Sequence, residues 1–191
     1  MRVIAGCAGG IPLHTPRSDL RPTMEVVKGA IFSSLGEMVI GARVLDLFAG
    51  SGALGIEALS RGAAHVTFVE SDRRAIETIE RNLEKTHLTG TVKAAEVMRF
   101  LEHSASPASF DIILADPPYA KEAGDTDFAA GLLGNDPLIH ALAPEGVFVL
   151  EHLPGRPLPL GDRWDCIRSR RYGATAVAIL RPSAAGSGSD R

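Results

Sequence analysis

The tetrapeptide Asp116-Pro117-Pro118-Tyr119 sets a carboxylate, two prolines and an aromatic ring side by side, directly after the apolar run Phe110-Asp111-Ile112-Ile113-Leu114-Ala115. These groups suit an exocyclic amine on a planar base. Such an amine is a poor nucleophile because its lone pair is delocalised into the ring, so acceptors on its two N–H bonds are needed to aim that lone pair at an electrophile. Asp116 offers one acceptor, and the carbonyl of Pro117, in backbone that proline restricts, offers the other. Tyr119 adds a flat face on which an extruded base can stack, worth about 1–3 kcal/mol per base. A capped proline turn with a surface tyrosine would look the same in isolation; the position at the end of a buried strand favours a site.

The second chemistry-bearing stretch is Leu45-Asp46-Leu47-Phe48-Ala49-Gly50-Ser51-Gly52-Ala53-Leu54-Gly55. An apolar run, Val44 to Phe48, stops at glycines and passes into helix-forming residues, Ala53 to Arg61, which is the pattern of a strand, a tight turn and a helix start. Gly50 allows the turn, Gly52 lets a ligand approach bare backbone, and Gly55 lets helix and strand pack closely. Asp46 points a carboxylate at a cationic ligand group or caps the turn. Glu70, at the end of the next strand, suits ribose hydroxyls. Glu96 is either a helix-start acid or a contact to an adenine amine. The glycine spacing also satisfies a dinucleotide fingerprint, so a nicotinamide-dependent oxidoreductase fits this motif alone. Such an enzyme has no evident use for Asp116 to Tyr119; a methyltransferase acting on an exocyclic amine does.

The elements that must position these groups alternate between strands and helices. Residues 2–13 read as a small glycine-broken hairpin, followed by a proline-punctuated loop. Thr23 caps a helix that buries Val27, Ala30, Ile31, Leu35 and Met38 and leaves Glu25 and Lys28 near solvent. Strands follow at 44–48, 65–70, 91–95, 110–115 and 146–151, with Ser71 as the N-cap of the helix after the second. Residues 120–135 read as a mobile stretch before a short helix through Leu142. Strands at 164–171 and 175–180, separated by Tyr172-Gly173, read as an antiparallel finish. The sum is an α/β fold, an open, mostly parallel, doubly wound sheet with ligands at the carboxyl ends of its strands. The expected organisation is an arm at 1–41, a main domain at 42–182 and a disordered tail at 183–191.

With 191 residues, 45% hydrophobic and 23% charged, the chain is long enough for one well-buried core. No run approaches membrane-spanning length, so a cytoplasmic location is expected. Cys7 and Cys166 lie far apart with no metal-ligand spacing, which predicts reduced thiols and no structural metal. The net charge of −3 is unevenly spread. Arg2, Arg17, Arg21, Lys28 and Arg43 outnumber the acids of residues 1–43, and Arg163, Arg168, Arg170, Arg171 and Arg181 form a second basic cluster.

Leu20-Arg21-Pro22-Thr23, the long stretch Leu45 to Ala63 and Asp116 to Tyr119, in this order and spacing, resemble the RsmD-type family of bacterial 16S rRNA (guanine-N(2))-methyltransferases. The resemblance implies a Rossmann-like class I methyltransferase fold. It also implies methyl transfer from S-adenosylmethionine to the 2-amino group of a guanine, of the guanine(966)-N(2) type, in 16S rRNA of the small subunit or its assembly intermediate. Carried over to this sequence, Asp116, Pro117, Pro118 and Tyr119 are the catalytic set. Asp46, Gly50 and Gly52 surround the methionine part of the cofactor and Glu70 holds its ribose. Glu96 stands where the family commonly has Asp at the adenine contact. Phe48, Ser51, Gly55, Ser71 and Thr23 complete the cofactor set, while Arg17, Arg21 and Lys28 contact RNA. Ala8-Gly9-Gly10 departs from the basic residues that the family usually carries in its opening hairpin. A monomer without membrane contact is expected. An adenine-N(6) methyltransferase on DNA or RNA is the nearest alternative, and a non-catalytic RNA-binding assembly factor a further one.

Overall fold

The computed structural model describes residues 1–15, 22–120 and 124–184. Its frame is a seven-stranded sheet in the order β3-β2-β1-β4-β5-β7-β6. The strands are β1 Arg43–Leu47, β2 His65–Glu70, β3 Thr91–Ala94, β4 Phe110–Ala115, β5 Leu142–His152, β6 Trp164–Tyr172 and β7 Thr175–Pro182. The first five pair in parallel, and β7 runs antiparallel to both β5 and β6. The helices are α1 Pro22–Leu35, α2 Ala53–Ser60, α3 Arg73–Thr86, α4 Val97–His103, α5 Phe128–Leu133 and α6 Asp136–Ala141.

Side chains alternate across the central strands and feed two apolar layers. Val44, Ile112, Leu114 and Val147 meet α1, α2 and α3 on one face. Leu45, Leu47, Ile113, Phe148 and Leu150 meet α4, α5 and α6 on the other. The sheet order reverses direction between β1 and β4, so the cleft at their carboxyl ends is where a ligand of a doubly wound sheet sits.

Three expectations change. The opening segment does fold back on itself, as a minimal hairpin with one antiparallel bridge, Arg2 to Pro12, and with Val3 N–H donating to Ile11, Gly10 N–H to Val3 and Leu13 N–H to Met1. Its backbone is also held by the main domain. Ile4 and Ala5 N–H donate to Glu57 at 2.7 and 3.1 Å, Ala8 N–H donates to Ser60 Oγ, and Asn82 exchanges two hydrogen bonds with the His14 backbone. Val3, Ala8 and Leu13 are buried in the same layer as α1 and α2. The α3 N-cap is Asp72, one residue later than expected: the helix starts at Arg73, and the Asp72 side chain accepts from Arg74 N–H. Helix α1 begins at Pro22, so Thr23 lies inside its first turn rather than at the cap. The described part of 120–135 contains α5, capped by Asp127 and burying Leu132 and Leu133, and α6 follows with Asn135 as its cap.

Candidate active site

The carboxyl ends of β2, β4 and β5 border a cavity of about 950 Å³, a volume typical of small-molecule sites. Met24 and Val27 of α1 and Phe128 of α5 close it from above. The three glycines of the turn have three different uses. Gly50 has φ +55°, and the nearest atom to the position a side chain would take is the Phe48 carbonyl at 3.9 Å, so it is the left-handed turn and not crowding that calls for glycine there. Gly52 also has positive φ, +77°, but its missing side chain faces Ile56 and Ile79 at 3.3 Å. Gly52 thus serves the turn and the packing beneath it as well. Gly55 is required by close approach, since a Cβ there would lie 2.3 Å from Phe68 Cε1 and 2.8 Å from Val66 Cγ1.

Between β1 and this turn, Phe48 holds φ +55°, which is costly for a residue with a side chain and is typical of strain kept at a site. Its ring lines the cavity and meets Phe128 edge-on at 5.2 Å. Asp46 is 2% exposed, does not line the cavity, and accepts from Gly55 N–H at 2.8 Å. Burial, only partly offset by that bond and reinforced by the Asp116 and Glu70 charges, pushes its pKa to about 8. Asp46 thus braces the turn from below, and the expected contact with a ligand cation is corrected. Ser51 contributes its carbonyl to Asn82 Nδ2 at 2.9 Å.

Glu70 does reach the cavity wall, and it also ties β2 to the turn. Oε2 accepts from Gly50 N–H at 2.8 Å, and Oε1 accepts from Ser71 and Asp72 N–H at 2.7 and 2.9 Å. A carboxylate has about four acceptor sites, so one remains for a hydroxyl. Ser71 lies beside it on the wall. Glu96 occupies the far end of the cavity and is at once the α4 N-cap, accepting from Met98 and Arg99 N–H. The helix-start reading of Glu96 is thus borne out, on the wall of the cavity. The Thr23 side chain is outside the described residues.

Asp116, Pro117, Pro118 and Tyr119 follow β4 along the same wall. Asp116 has no hydrogen-bond partner on its carboxylate among the described residues, and burial together with the Glu151 charge raises its pKa to about 7. Tyr119 is held by its hydroxyl, which lies 2.7 Å from Thr175 Oγ1 and donates to Glu151 Oε1 at 3.2 Å. Burial raises the phenol well above its ordinary range, so this hydroxyl stays protonated.

Glu151 and Thr175 were missed from the sequence. An acid closing an apolar run is the signal that singled out Glu70, and Glu151 closes β5 in the same way. Its nearness to Asp116, however, depends on β4–β5 register, which no local spacing reveals.

The expected RNA contacts fare differently. Lys28 is 2% exposed, paired with fully buried Glu57 at 3.1 Å and bonded to the Arg2 carbonyl. Burial lowers its pKa against the pull of Glu57, so Lys28 is a core cation and the RNA assignment is corrected. Arg17 and Arg21 lie outside the described residues. On the edge strand β6, Arg168, Arg170 and Arg171 are exposed and, among the described residues, in no ion pair, whereas Arg163 and Arg181 pair with Asp136 and Glu145.

Residues 1–181 match the model of the family described as Conserved hypothetical protein 95. The chain is 40% identical over 190 residues to the Putative rRNA methyltransferase YlbH of Bacillus subtilis, covering 95% of this chain and 98% of that one. It is 33% identical over 190 residues to Ribosomal RNA small subunit methyltransferase D of Escherichia coli, covering 97% and 92%. Among solved structures it resembles the T. thermophilus 16S rRNA N2 G1207 methyltransferase RsmC in complex with AdoMet and guanosine. The TM-score there is 0.70 at 26% identity, over 87% of this chain and 44% of that one. The sheet order and these likenesses establish the class I methyltransferase fold, and the match over nearly the whole chain shows that it belongs to the Conserved hypothetical protein 95 family, the RsmD-type family its motifs resemble.

Proposed function

We propose that this protein transfers a methyl group from S-adenosylmethionine to the 2-amino group of a guanine in small-subunit ribosomal RNA. The observation that carries this reading is the carboxylate of Asp116 at the end of β4, without a hydrogen-bond partner among the described residues and in the same cavity as the carboxylate of Glu70. The cavity volume and the apolar Phe48–Phe128 wall fit the cofactor. Glu70 and Ser71 would hold its ribose, and Glu96 and Val97 its adenine end. Bound there, S-adenosylmethionine supplies an electrophilic sulfonium methyl group.

The rest of the chemistry belongs to the chain. Asp116 Oδ and the Pro117 carbonyl accept the two N–H bonds of the amine and turn its lone pair toward the methyl group. Tyr119, its hydroxyl fixed by Thr175 and Glu151, presents its ring to the base. As the N–C bond forms, the amine sheds one proton, which Asp116 accepts and passes to water through the open cleft. A carboxylate with a pKa near 7 is well matched to that transfer. Arg168, Arg170 and Arg171 offer contacts to RNA phosphates beside the mouth, since β7 starts at Thr175 on the cavity wall.

The test is methyl transfer from labelled S-adenosylmethionine to unmodified small ribosomal subunits, naked small-subunit rRNA and double-stranded DNA, with Asp116→Ala as control. Label recovered as 2-methylguanosine in subunit rRNA, and lost in the variant, is the expected result. Label in N(6)-methyladenine would keep the mechanism and overturn the base. Absence of transfer with the cofactor bound would favour a binding role.

A further inference from the structure

We propose that Glu151 reads the ring N1–H of the target base and thereby selects guanine over adenine, an inference that rests on the guanine reading above. In β4–β5 the pair Ala115–Leu150 is in parallel register, so the next residues, Asp116 and Glu151, leave neighbouring strands about 4.8 Å apart. They enter the same cavity. Glu151 is fixed by one oxygen only. Oε1 accepts from Thr175 Oγ1 at 2.9 Å and from the Tyr119 hydroxyl at 3.2 Å. Oε2 has no partner among the described residues. The site thus presents three acceptors along one wall: the Asp116 carboxylate, the Pro117 carbonyl and Glu151 Oε2.

Guanine's edge matches that count, with two N–H bonds on the 2-amino group and one on N1. Adenine offers two N–H bonds on its 6-amino group and then a lone pair on N1. Against these acceptors, guanine N1–H meets a carboxylate oxygen, whereas adenine N1 meets it lone pair to lone pair. A site that leaves a polar group opposed discriminates far more strongly than one that merely lacks a contact. The Asp116-Pro117-Pro118-Tyr119 motif serves either base through its amine alone, so discrimination needs a group beyond it, and Glu151, the strand neighbour of Asp116, can supply one. Were Glu151 only an anchor for Tyr119, any acceptor of its size would serve equally.

The experiment uses the full chain and three forms: wild type, Glu151→Gln and Glu151→Asp. Methyl transfer to unmodified small subunits is measured together with S-adenosylmethionine affinity. Guanosine and 2-aminopurine riboside, whose N1 is an acceptor beside the same 2-amino group, are compared as competitors. Glutamine can still take the Tyr119 and Thr175 bonds, but it can turn an N–H toward N1. The expected outcome for Glu151→Gln is a fall in kcat/KM of about 10- to 100-fold with cofactor affinity unchanged. The wild-type preference for guanosine over 2-aminopurine riboside should fall by about tenfold or more. Aspartate, shorter but still an acceptor, should lose rate and keep the preference. An unchanged preference in Glu151→Gln, or a wild type with none, overturns the assignment, as does loss of cofactor binding in both variants. If wild type forms no 2-methylguanosine, the guanine reading itself has failed. If it does and the preference ignores Glu151, only this inference has.

Discussion

A carboxylate that must take up the proton an amine sheds works only when ionised, and at Asp116 that condition falls near neutrality. Burial and the facing Glu151 charge place its pKa at about 7, while Asp46 beneath the turn and Tyr119 beside it are held in their neutral forms. The two carboxylates interact, so their protons come off in two steps that belong to the pair, and kcat/KM should rise between about pH 6 and pH 8 through the step with its midpoint near 7. Removing the Glu151 charge in Glu151→Gln should move that midpoint down; an unmoved midpoint would mean that Glu151 does not act on Asp116. The stability sign is the opposite: a folded pKa raised above 3.8 favours the fold at low pH, and that contribution fades as pH rises through 7. A second residue-scale prediction concerns Gly55. Its alanine variant forces Phe68 aside from 2.3 Å and should cost about 1–3 kcal/mol or more in urea unfolding. The glycine pattern was legible from sequence, but the separate duties of Gly50, Gly52 and Gly55 were not, because each depends on a neighbour brought in by β2 or α3.

Elements differ in how openly they announce themselves. Strands β2 and β4 have the boundaries the sequence predicts, since each is rich in β-branched and other apolar residues and is followed by polar or turn residues. The six-residue helices α5 and α6 are too short for a helical period to show. The opening hairpin shows in its glycines and β-branched residues, but its bonds to Glu57 and Ser60 of α2 do not. Basic character misled: Lys28 sits on a helix face that reads as polar until Glu57 of α2 is set against it. The exposed arginines belong to an edge strand, where charge also guards against edge-to-edge pairing. If they meet RNA phosphates, replacing Arg168, Arg170 and Arg171 by Gln should weaken binding to small-subunit rRNA and flatten its salt dependence. Each lost contact should reduce the slope of log K against log salt by about 0.7–0.9. Cofactor affinity should stay constant, and an unchanged salt slope would leave β6 with only its guarding role.

At the scale of the molecule, the N-terminal segment is part of the body that holds the site, because it shares one apolar layer with α1, α2 and α3. Its latch is polar. Fully buried Glu57 accepts from Ile4 and Ala5 N–H, Arg61 and Lys28. Burial alone would raise its pKa, yet the Ile4 N–H, Arg61 and Lys28 together hold it below the ordinary range. Gly6 fits only without a side chain, since a Cβ would lie 1.8 Å from the Ser60 carbonyl. The latch bears on function because α1, which Lys28 anchors, carries Met24 and Val27 to the cavity. Removing either partner of a buried pair strands the other, at about 3–5 kcal/mol, but the two removals are unequal. Lys28→Met leaves Glu57 with Arg61 and two backbone donors. Glu57→Ala strands Lys28 and also leaves the Ile4 and Ala5 N–H groups unpaired, at about 1–3 kcal/mol each. Denaturant unfolding should therefore rank Glu57→Ala as clearly the more damaging, with weaker S-adenosylmethionine binding as the segment and α1 loosen. A folded Glu57 carboxyl held low in pKa also stabilises above its unfolded value near 4.5, and that part is lost as pH falls through the folded pKa. The gap between wild type and Glu57→Ala should accordingly narrow in acid. Equal damage from the two variants, or a gap indifferent to acid, would show that apolar burial alone holds the segment in place.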